Sequence, residues 1–453
     1  MLFERIESEG LAHYSYLIGD TNKALVIDPR RDCDIYIDKA EKKGFQIKTI
    51  LETHRNEDYV IGSLELAERT GAQIWHADTQ LDYQYGNPVE DKQTWKVGRY
   101  EIEAISTPGH TPGHMSYLLK DPNGIPWMVF TGDALFAGDI GRVDLMGKEK
   151  AQEMAGMLYD SIFKKLLPLG DEVIVCPAHG AGSVCGSSIA ERIWTTIGIE
   201  RKNNPKLQYD NKKDFIKNNA VELERPPYFR RMEKWNMEGP PLLKSLPVPT
   251  PLSPGHFAHS SEEGTVVDTR MELGFGAAHV PESISLWSEG LPGLAGWFLE
   301  YEKPIYLVQS ENDPMETVSA LIRLGYDNIQ GYLSGGMLSW HMSGRKSDTV
   351  ETLTVHEFCG ILDKGQKPWI LDVRSAEELE EDGKIPGAHH IHITQLPEKI
   401  RDVPLDKKVC IFCGSGLRSM TAASILKKEG IENPAVILGG LMGWDSATCP
   451  IEL

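Results

Sequence analysis

The sequence predicts a multidomain α/β protein, and three observations carry that prediction. The segment Pro240-Pro241-Leu242-Leu243-Lys244-Ser245-Leu246-Pro247-Val248-Pro249-Thr250-Pro251 holds five prolines in twelve residues, which excludes helix and favours an extended connector. Beyond it the chain repeats itself at a spacing of 104 residues: Val266-Val267-Asp268-Thr269-Arg270 returns as Ile370-Leu371-Asp372-Val373-Arg374, and Gly335-Gly336 with Trp340 returns as Gly439-Gly440 with Trp444. Two tandem copies of one domain are implied. Before the connector, short β-rich runs alternate with helical stretches in a different pattern. A chain of 453 residues exceeds one hydrophobic core, and the expected units are residues 1–240, 252–346 and 350–453.

Composition narrows the partners. The 47 basic and 66 acidic side chains give a net charge of −19, with no basic tract to follow a phosphate backbone, so nucleic acid is not an expected partner. No run approaches the ~20 apolar residues of a membrane span. Met1-Leu2-Phe3-Glu4-Arg5 begins like a strand rather than a signal peptide, so a cytoplasmic location without membrane attachment is expected. The seven scattered cysteines (33, 176, 185, 359, 410, 413 and 449) fit free thiols better than a disulfide framework. A homo-oligomer is expected.

In the first 240 residues, Tyr14–Ile18, Ala24–Ile27, Thr49–Leu51, Tyr100–Ser106, Trp127–Phe130 and Glu172–Val175 read as strands. Tyr59–Thr70 and Lys148–Leu167 read as helices, and residues 199–238 as mostly helical with Pro226-Pro227 interrupting. Each histidine-rich segment follows a strand, which gathers polar side chains at one sheet edge. In each C-terminal copy a buried strand (Ile305–Val308, Val409–Phe412) precedes a helix that ends near glycine (Gly325, Gly430), the mark of a parallel α/β sheet.

The last copy carries a reactive loop. Cys413-Gly414-Ser415-Gly416-Leu417-Arg418-Ser419 lies between a strand and a helix, where inward backbone N–H groups, the helix N-terminus and Arg418 would stabilise a thiolate or persulfide on Cys413. The equivalent middle loop, Gln309-Ser310-Glu311-Asn312-Asp313-Pro314, has no cysteine, and Glu311 and Asp313 would repel an anion. Cys-x5-Arg-Ser, with Asp372-Val373-Arg374, Ile385-Pro386-Gly387-Ala388 and Gly439-Gly440-x-x-x-Trp444, resembles the rhodanese family, and the six-residue loop resembles its sulfurtransferases. The Cys410/Cys413 pair and His389, His390 and His392 read as core and strand residues rather than metal ligands.

Thr53-His54-Arg55-Asn56-Glu57-Asp58-Tyr59, Thr107-Pro108-Gly109-His110, Thr131-Gly132-Asp133 and Pro177-Ala178-His179-Gly180 stand in order on four strand ends. Together they resemble the metallo-β-lactamase fold in its glyoxalase-II-like members, which implies an N-terminal αββα sandwich followed by two α/β rhodanese domains with parallel sheets. Dinuclear members carry His-x-His-x-Asp-His, but here Asn56 and Tyr59 replace two of the histidines. His54, His110 and Asp133 remain, two imidazoles and a carboxylate, a set that leaves open positions on non-haem Fe(II). The arrangement resembles persulfide dioxygenases fused to tandem rhodaneses. That resemblance implies one Fe(II) per chain, with Zn as a possible substitute, on His54, His110 and Asp133. Asp28, Asn56, Asp58, Tyr59 and His179 would be supporting residues or the remnant of a second metal site. Arg142 would hold a substrate carboxylate and Cys185 would bind or relay sulfur.

The activity so implied is oxidation of a low-molecular-weight thiol persulfide by O2 to sulfite, coupled to sulfur transfer through a Cys413 persulfide that makes or uses thiosulfate. Two other readings stay open: a dinuclear zinc thioester hydrolase of glyoxalase-II type, and a non-catalytic metallo-domain scaffold carrying a sulfurtransferase. Metal content separates the three.

Overall fold

The computed structural model describes residues 1–186, 188–310 and 313–444. Glu311 of the middle loop and Cys449 therefore lie outside the described residues. The chain divides into two compact units, Met1–Leu246 with Ser319–Tyr326, and Pro247–Val318 with Asp327–Leu453. The division at Leu246 falls inside the proline-rich segment.

The first unit holds two six-stranded sheets. Leu2–Ser8 (β1), His13–Asp20 (β2), Lys23–Ile27 (β3), Gln46–Leu51 (β4), Gln73–His76 (β5) and Asn87–Pro88 (β6) pair in sequence order. Thr94–Val97 (β7), Tyr100–Ser106 (β8), Met115–Lys120 (β9), Pro126–Gly132 (β10), Ile174–Pro177 (β11) and Thr195–Thr196 (β12) form the second sheet, also in sequence order.

Side-chain alternation sorts these strands into layers. On one face, Tyr16, Ile18, Leu25 and Ile27 of the first sheet meet Ile102, Ala104, Tyr117, Leu119, Met128 and Phe130 of the second in a shared core. On the other face, Leu17, Ala24 and Val26 pack with Tyr36 and Ala40 of the helix Asp34–Glu41 and with Leu66 of the helix Ser63–Thr70. Leu118, Val129 and Val175 likewise pack on Met154, Ala155 and Leu158 of the helix Ala151–Ser161. The result is the αββα sandwich.

Local boundaries differ from the sequence expectation in three places. The helix expected from Tyr59 starts at Ser63, because residues 59–62 are tied to other segments: Gly62 N–H bonds the Pro29 carbonyl, and a Cβ on Gly62 would stand 2.1 Å from the Arg30 carbonyl oxygen. The 148–167 helix begins as a 3₁₀ turn and passes through a π-turn at Ile162–Leu166. The strand expected to begin at Glu172 is Ile174–Pro177.

The second unit holds two parallel five-stranded sheets. Thr250–Leu252 (β13), Thr265–Asp268 (β14), Ile284–Ser285 (β15), Ile305–Val308 (β16) and Ile329–Leu333 (β17) lie in the order β13-β17-β16-β14-β15. Glu351–Thr354 (β18), Trp369–Asp372 (β19), His389–His390 (β20), Val409–Phe412 (β21) and Pro434–Leu438 (β22) repeat it as β18-β22-β21-β19-β20. The repeated Asp-x-Arg has one physical meaning in both copies. Arg270 bonds Asp268 and the Ala278 carbonyl, as Arg374 bonds Asp372 and the Gly383 carbonyl. Cys33, Cys176, Cys185, Cys410 and Cys413 are free thiols, whereas Cys359 is disulfide-bonded, contrary to the expectation of free thiols throughout.

Candidate metal centre and sulfur-carrying loop

The loops after β4 and β8 and the end of β10 bring His54, His110 and Asp133 together, all buried. Asp133 Oδ2 lies 3.7 Å from His54 Nε2 and 3.4 Å from His110 Nε2. None of these three atoms has a hydrogen-bond partner. Buried polar atoms without partners are rare, and donors about 2.1 Å from a shared tetrahedral centre stand about 3.4 Å apart. The three residues therefore fit a metal ion.

Neighbours fix each donor. Thr53 Oγ1 donates to Asp28 Oδ2 at 2.7 Å and lies 2.8 Å from His54 Nδ1. With its one proton spent on Asp28, the hydroxyl can only accept from the imidazole, so His54 carries its proton on Nδ1 and presents a lone pair on Nε2. Burial pushes the Asp28 carboxyl up to about 7, against the Thr53 hydrogen bonds. His110 Nδ1 donates to the Arg142 carbonyl at 2.9 Å, leaving its own Nε2 free of a proton. His114 is not a donor to the centre: its Nε2 accepts the Asp133 N–H at 3.0 Å, and burial lowers its pKa to about 3. This contact needs glycine before Asp133, since Gly132 has φ +50° and a Cβ there would stand 2.5 Å from His114 Nε2.

The altered positions are also accounted for. The Asn56 amide donates to its own loop at the His54 carbonyl, and the Tyr59 ring lies tilted against His13 with centroids 3.9 Å apart. His179 lies between two carboxylates, with Nδ1 2.8 Å from Asp133 Oδ1 and Nε2 2.9 Å from Asp58 Oδ2. Among the described residues, besides His54 with Glu57 and His110, two groups could hold a cation: Asp58 with His179 and Cys185, and His110 with Asp133 and Cys185. Cys185 is thus beside the centre. Burial, then the Asp58 and Asp133 carboxylates, push its thiol pKa well up.

Arg142 corrects the sequence reading. Its five N–H donors go to Asp144 (2.7 and 2.7 Å) and to the carbonyls of Leu223, Val184 and Glu224 (3.1, 3.3 and 3.2 Å). No donor is left for a substrate carboxylate, and the residue serves the site through its carbonyl on His110.

Sequence reasoning missed Glu57. Its Oε2 lies 3.7 Å from His110 Nε2, has no partner, and groups with His54 and His110 as a possible metal site. The signal was present as a carboxylate next to the missing histidine.

In the second unit, Cys413 is buried at the end of β21, and its Sγ accepts the Gly416 N–H at 3.1 Å. Gly416 has φ +115° and caps the helix Leu417–Lys428, which starts at this loop. The loop is held by its carbonyls: Cys413, Gly414 and Ser415 accept from Leu441, Met442 and Gly439 N–H. Gly440 has φ +45°, and a Cβ there would stand 2.1 Å from the Cys413 oxygen. Ser419 is buried with its hydroxyl unpartnered. Arg418 is paired with a carboxylate and also interacts electrostatically with Cys413. Both terminal nitrogens bond Glu378 at 2.6 Å, a pairing between loop and helix Ala376–Asp382.

Residues 9–179 match the metallo-beta-lactamase superfamily, and residues 253–343 and 354–447 each match the rhodanese-like domain. Hydroxyacylglutathione hydrolase GloC of Haemophilus influenzae is 28% identical over 214 residues, 43% of this chain and 91% of that protein. The mitochondrial persulfide dioxygenase ETHE1 of Bos taurus is 29% identical over 213 residues, 43% of this chain and 71% of that protein. The crystal structure of a metallo-beta-lactamase from Staphylococcus aureus subsp. aureus COL superposes with a TM-score of 0.64 at 29% identity, covering 74% of this chain and 98% of that one. The chain belongs to the metallo-beta-lactamase superfamily and carries two rhodanese-like domains behind that domain.

Proposed function

We propose that the chain is a sulfur-metabolism enzyme with two chemistries: persulfide oxidation at a single Fe(II) on His54, His110 and Asp133, and sulfur transfer through Cys413. The observation that carries the first is the trio of buried, partnerless donor atoms His54 Nε2, His110 Nε2 and Asp133 Oδ2. Bound there, Fe(II) would supply open coordination positions and the redox chemistry that O2 needs. The protein holds the two imidazoles in the donor tautomer through Thr53 and the Arg142 carbonyl, and it holds Asp133 through His114. The net reaction takes a persulfide, O2 and water to thiol and sulfite.

At the second centre, the Cys413 thiolate attacks the outer sulfur of thiosulfate, and the S–S bond breaks to release sulfite. The persulfide on Cys413 is stabilised by the Gly416 N–H and the helix N-terminus. A low-molecular-weight thiol then takes the sulfane sulfur and returns the Cys413 thiol. The low-molecular-weight persulfide so formed is the substrate class proposed for the first centre.

A dinuclear zinc hydrolase is the second reading, favoured by the group Asp58, His179 and Cys185 and by the likeness to a hydroxyacylglutathione hydrolase. Against it, the 2.9 Å approach of His179 Nε2 to Asp58 is a direct ion-pair distance, shorter than the spacing of two donors on one tetrahedral ion. Replacing His54, His110 or Asp133 by alanine should abolish iron retention and oxygen uptake on a persulfide together. Full activity in each variant would reject the assignment.

A further inference from the structure

We infer that Glu57 is a fourth metal donor, taking over the coordination that an imidazole at position 56 would otherwise provide, so that this centre is a two-histidine, two-carboxylate site. The inference rests on the proposed reading of His54, His110 and Asp133 as metal ligands.

Three observations support it. Glu57 is 1% exposed, and burying an ionised carboxylate is costly unless it is paired on both oxygens. Only one oxygen is paired, Oε1 with Arg55 at 3.0 Å. The other, Oε2, has no partner and stands 3.7 Å from His110 Nε2, a separation like those between Asp133 and the two histidines. His54, Glu57 and His110 together present three ligand atoms close enough to share one cation. A cation between them would give the unpartnered Oε2 and the two Nε2 atoms a common partner.

The position also explains how Asn56 is tolerated. Its amide nitrogen is turned to the His54 carbonyl, and its backbone carbonyl accepts from the Asn236 side chain, so the loop carries residue 56 as a structural element and residue 57 toward the centre. Arg55 holds Glu57 in that direction and is itself bonded to Glu233. Two carboxylates would make the centre neutral with a divalent ion.

The test uses the full chain loaded anaerobically with Fe(II) or with Co(II). The readouts are metal stoichiometry, the rate of metal loss to a competing chelator, and the Co(II) visible absorption, which follows the ligand set. Glu57→Gln should lose metal at least tenfold faster than wild type and shift the Co(II) bands. Adding Asn56→His to that variant should restore retention to within about threefold. If Glu57→Gln keeps wild-type retention and an unchanged Co(II) spectrum while His54→Ala loses the metal, Glu57 is not a ligand and the inference falls alone. If His54→Ala also keeps the metal, the reading of the centre falls, and the inference with it. Should Glu57→Gln not fold, Glu57→Asp is read instead: a carboxylate one methylene shorter must move the Co(II) bands if it is a ligand, and unmoved bands overturn the inference.

Discussion

Thr53→Val changes one hydroxyl for a methyl of nearly the same size and isolates the chain of contacts that orients His54. The Thr53 hydroxyl is 2.7 Å from Asp28 Oδ2 and 2.8 Å from His54 Nδ1, and all three residues are buried. Valine leaves a carboxylate oxygen and an imidazole N–H without this partner. Each buried polar group so stranded costs about 1–3 kcal/mol, so the metal-free protein should lose about 2–6 kcal/mol of stability. Losing such an orienting contact weakens metal binding about 10–100-fold, or about 1.4–2.7 kcal/mol. Thr53→Ser keeps the hydroxyl and should stay near wild type. The assay is chelator competition with Fe(II) under anaerobic conditions, paired with thermal melting of the metal-free protein. A folded Thr53→Val with metal affinity within twofold of wild type would refute the claim that this contact sets the His54 tautomer.

Other perturbations follow from the same geometry. Cys413→Ser should eliminate sulfur transfer between thiosulfate and a thiol while iron content is unchanged; retained transfer would move the nucleophile elsewhere, with Cys185 the first suspect. Gly440→Ala should lower transfer at least tenfold, because its Cβ would stand 2.1 Å from the Cys413 oxygen at φ +45°, and wild-type rates would show that the loop tolerates the shift. Glu52 is buried beneath the metal loop, and burial pushes its carboxyl up to about 8 despite the hydrogen bond from Tyr85. A carboxyl with a raised folded pKa binds more protons folded than unfolded between about pH 4.5 and 8, so its contribution to stability is lost as pH rises through that window, by at most about 1.4 kcal/mol per pH unit. Glu52→Gln should flatten that decline in melting temperature between pH 6 and 8; an unchanged slope would contradict a protonated Glu52.

How much of this was legible in the sequence depends on how far apart the interacting residues lie. The repeat at 104 residues announced two like sheets, because Asp-x-Arg pairs within itself and needs no distant partner. Strand-end histidines announced the centre, because a strand delivers its following loop to one sheet edge. Arg142 was misread as a substrate clamp because its partners Leu223, Val184 and Glu224 are 42–82 residues away. The pairing of Arg418 with Glu378 was out of reach for the same reason, since Glu378 is 40 residues upstream. Glu57 was passed over because motif reading assigns chemistry by register, whereas the loop conformation decides whether residue 56 or 57 faces the centre.

The most direct measurement of the central claim is the metal content of anaerobically purified full chain, taken together with oxygen uptake on a low-molecular-weight persulfide. The account predicts about one iron per chain, oxygen consumed in step with sulfite formed, and loss of both in His110→Ala. Two zinc ions per chain without oxygen uptake would contradict it in favour of a hydrolase, and protein that takes up no metal would leave Cys413 as the only catalytic centre.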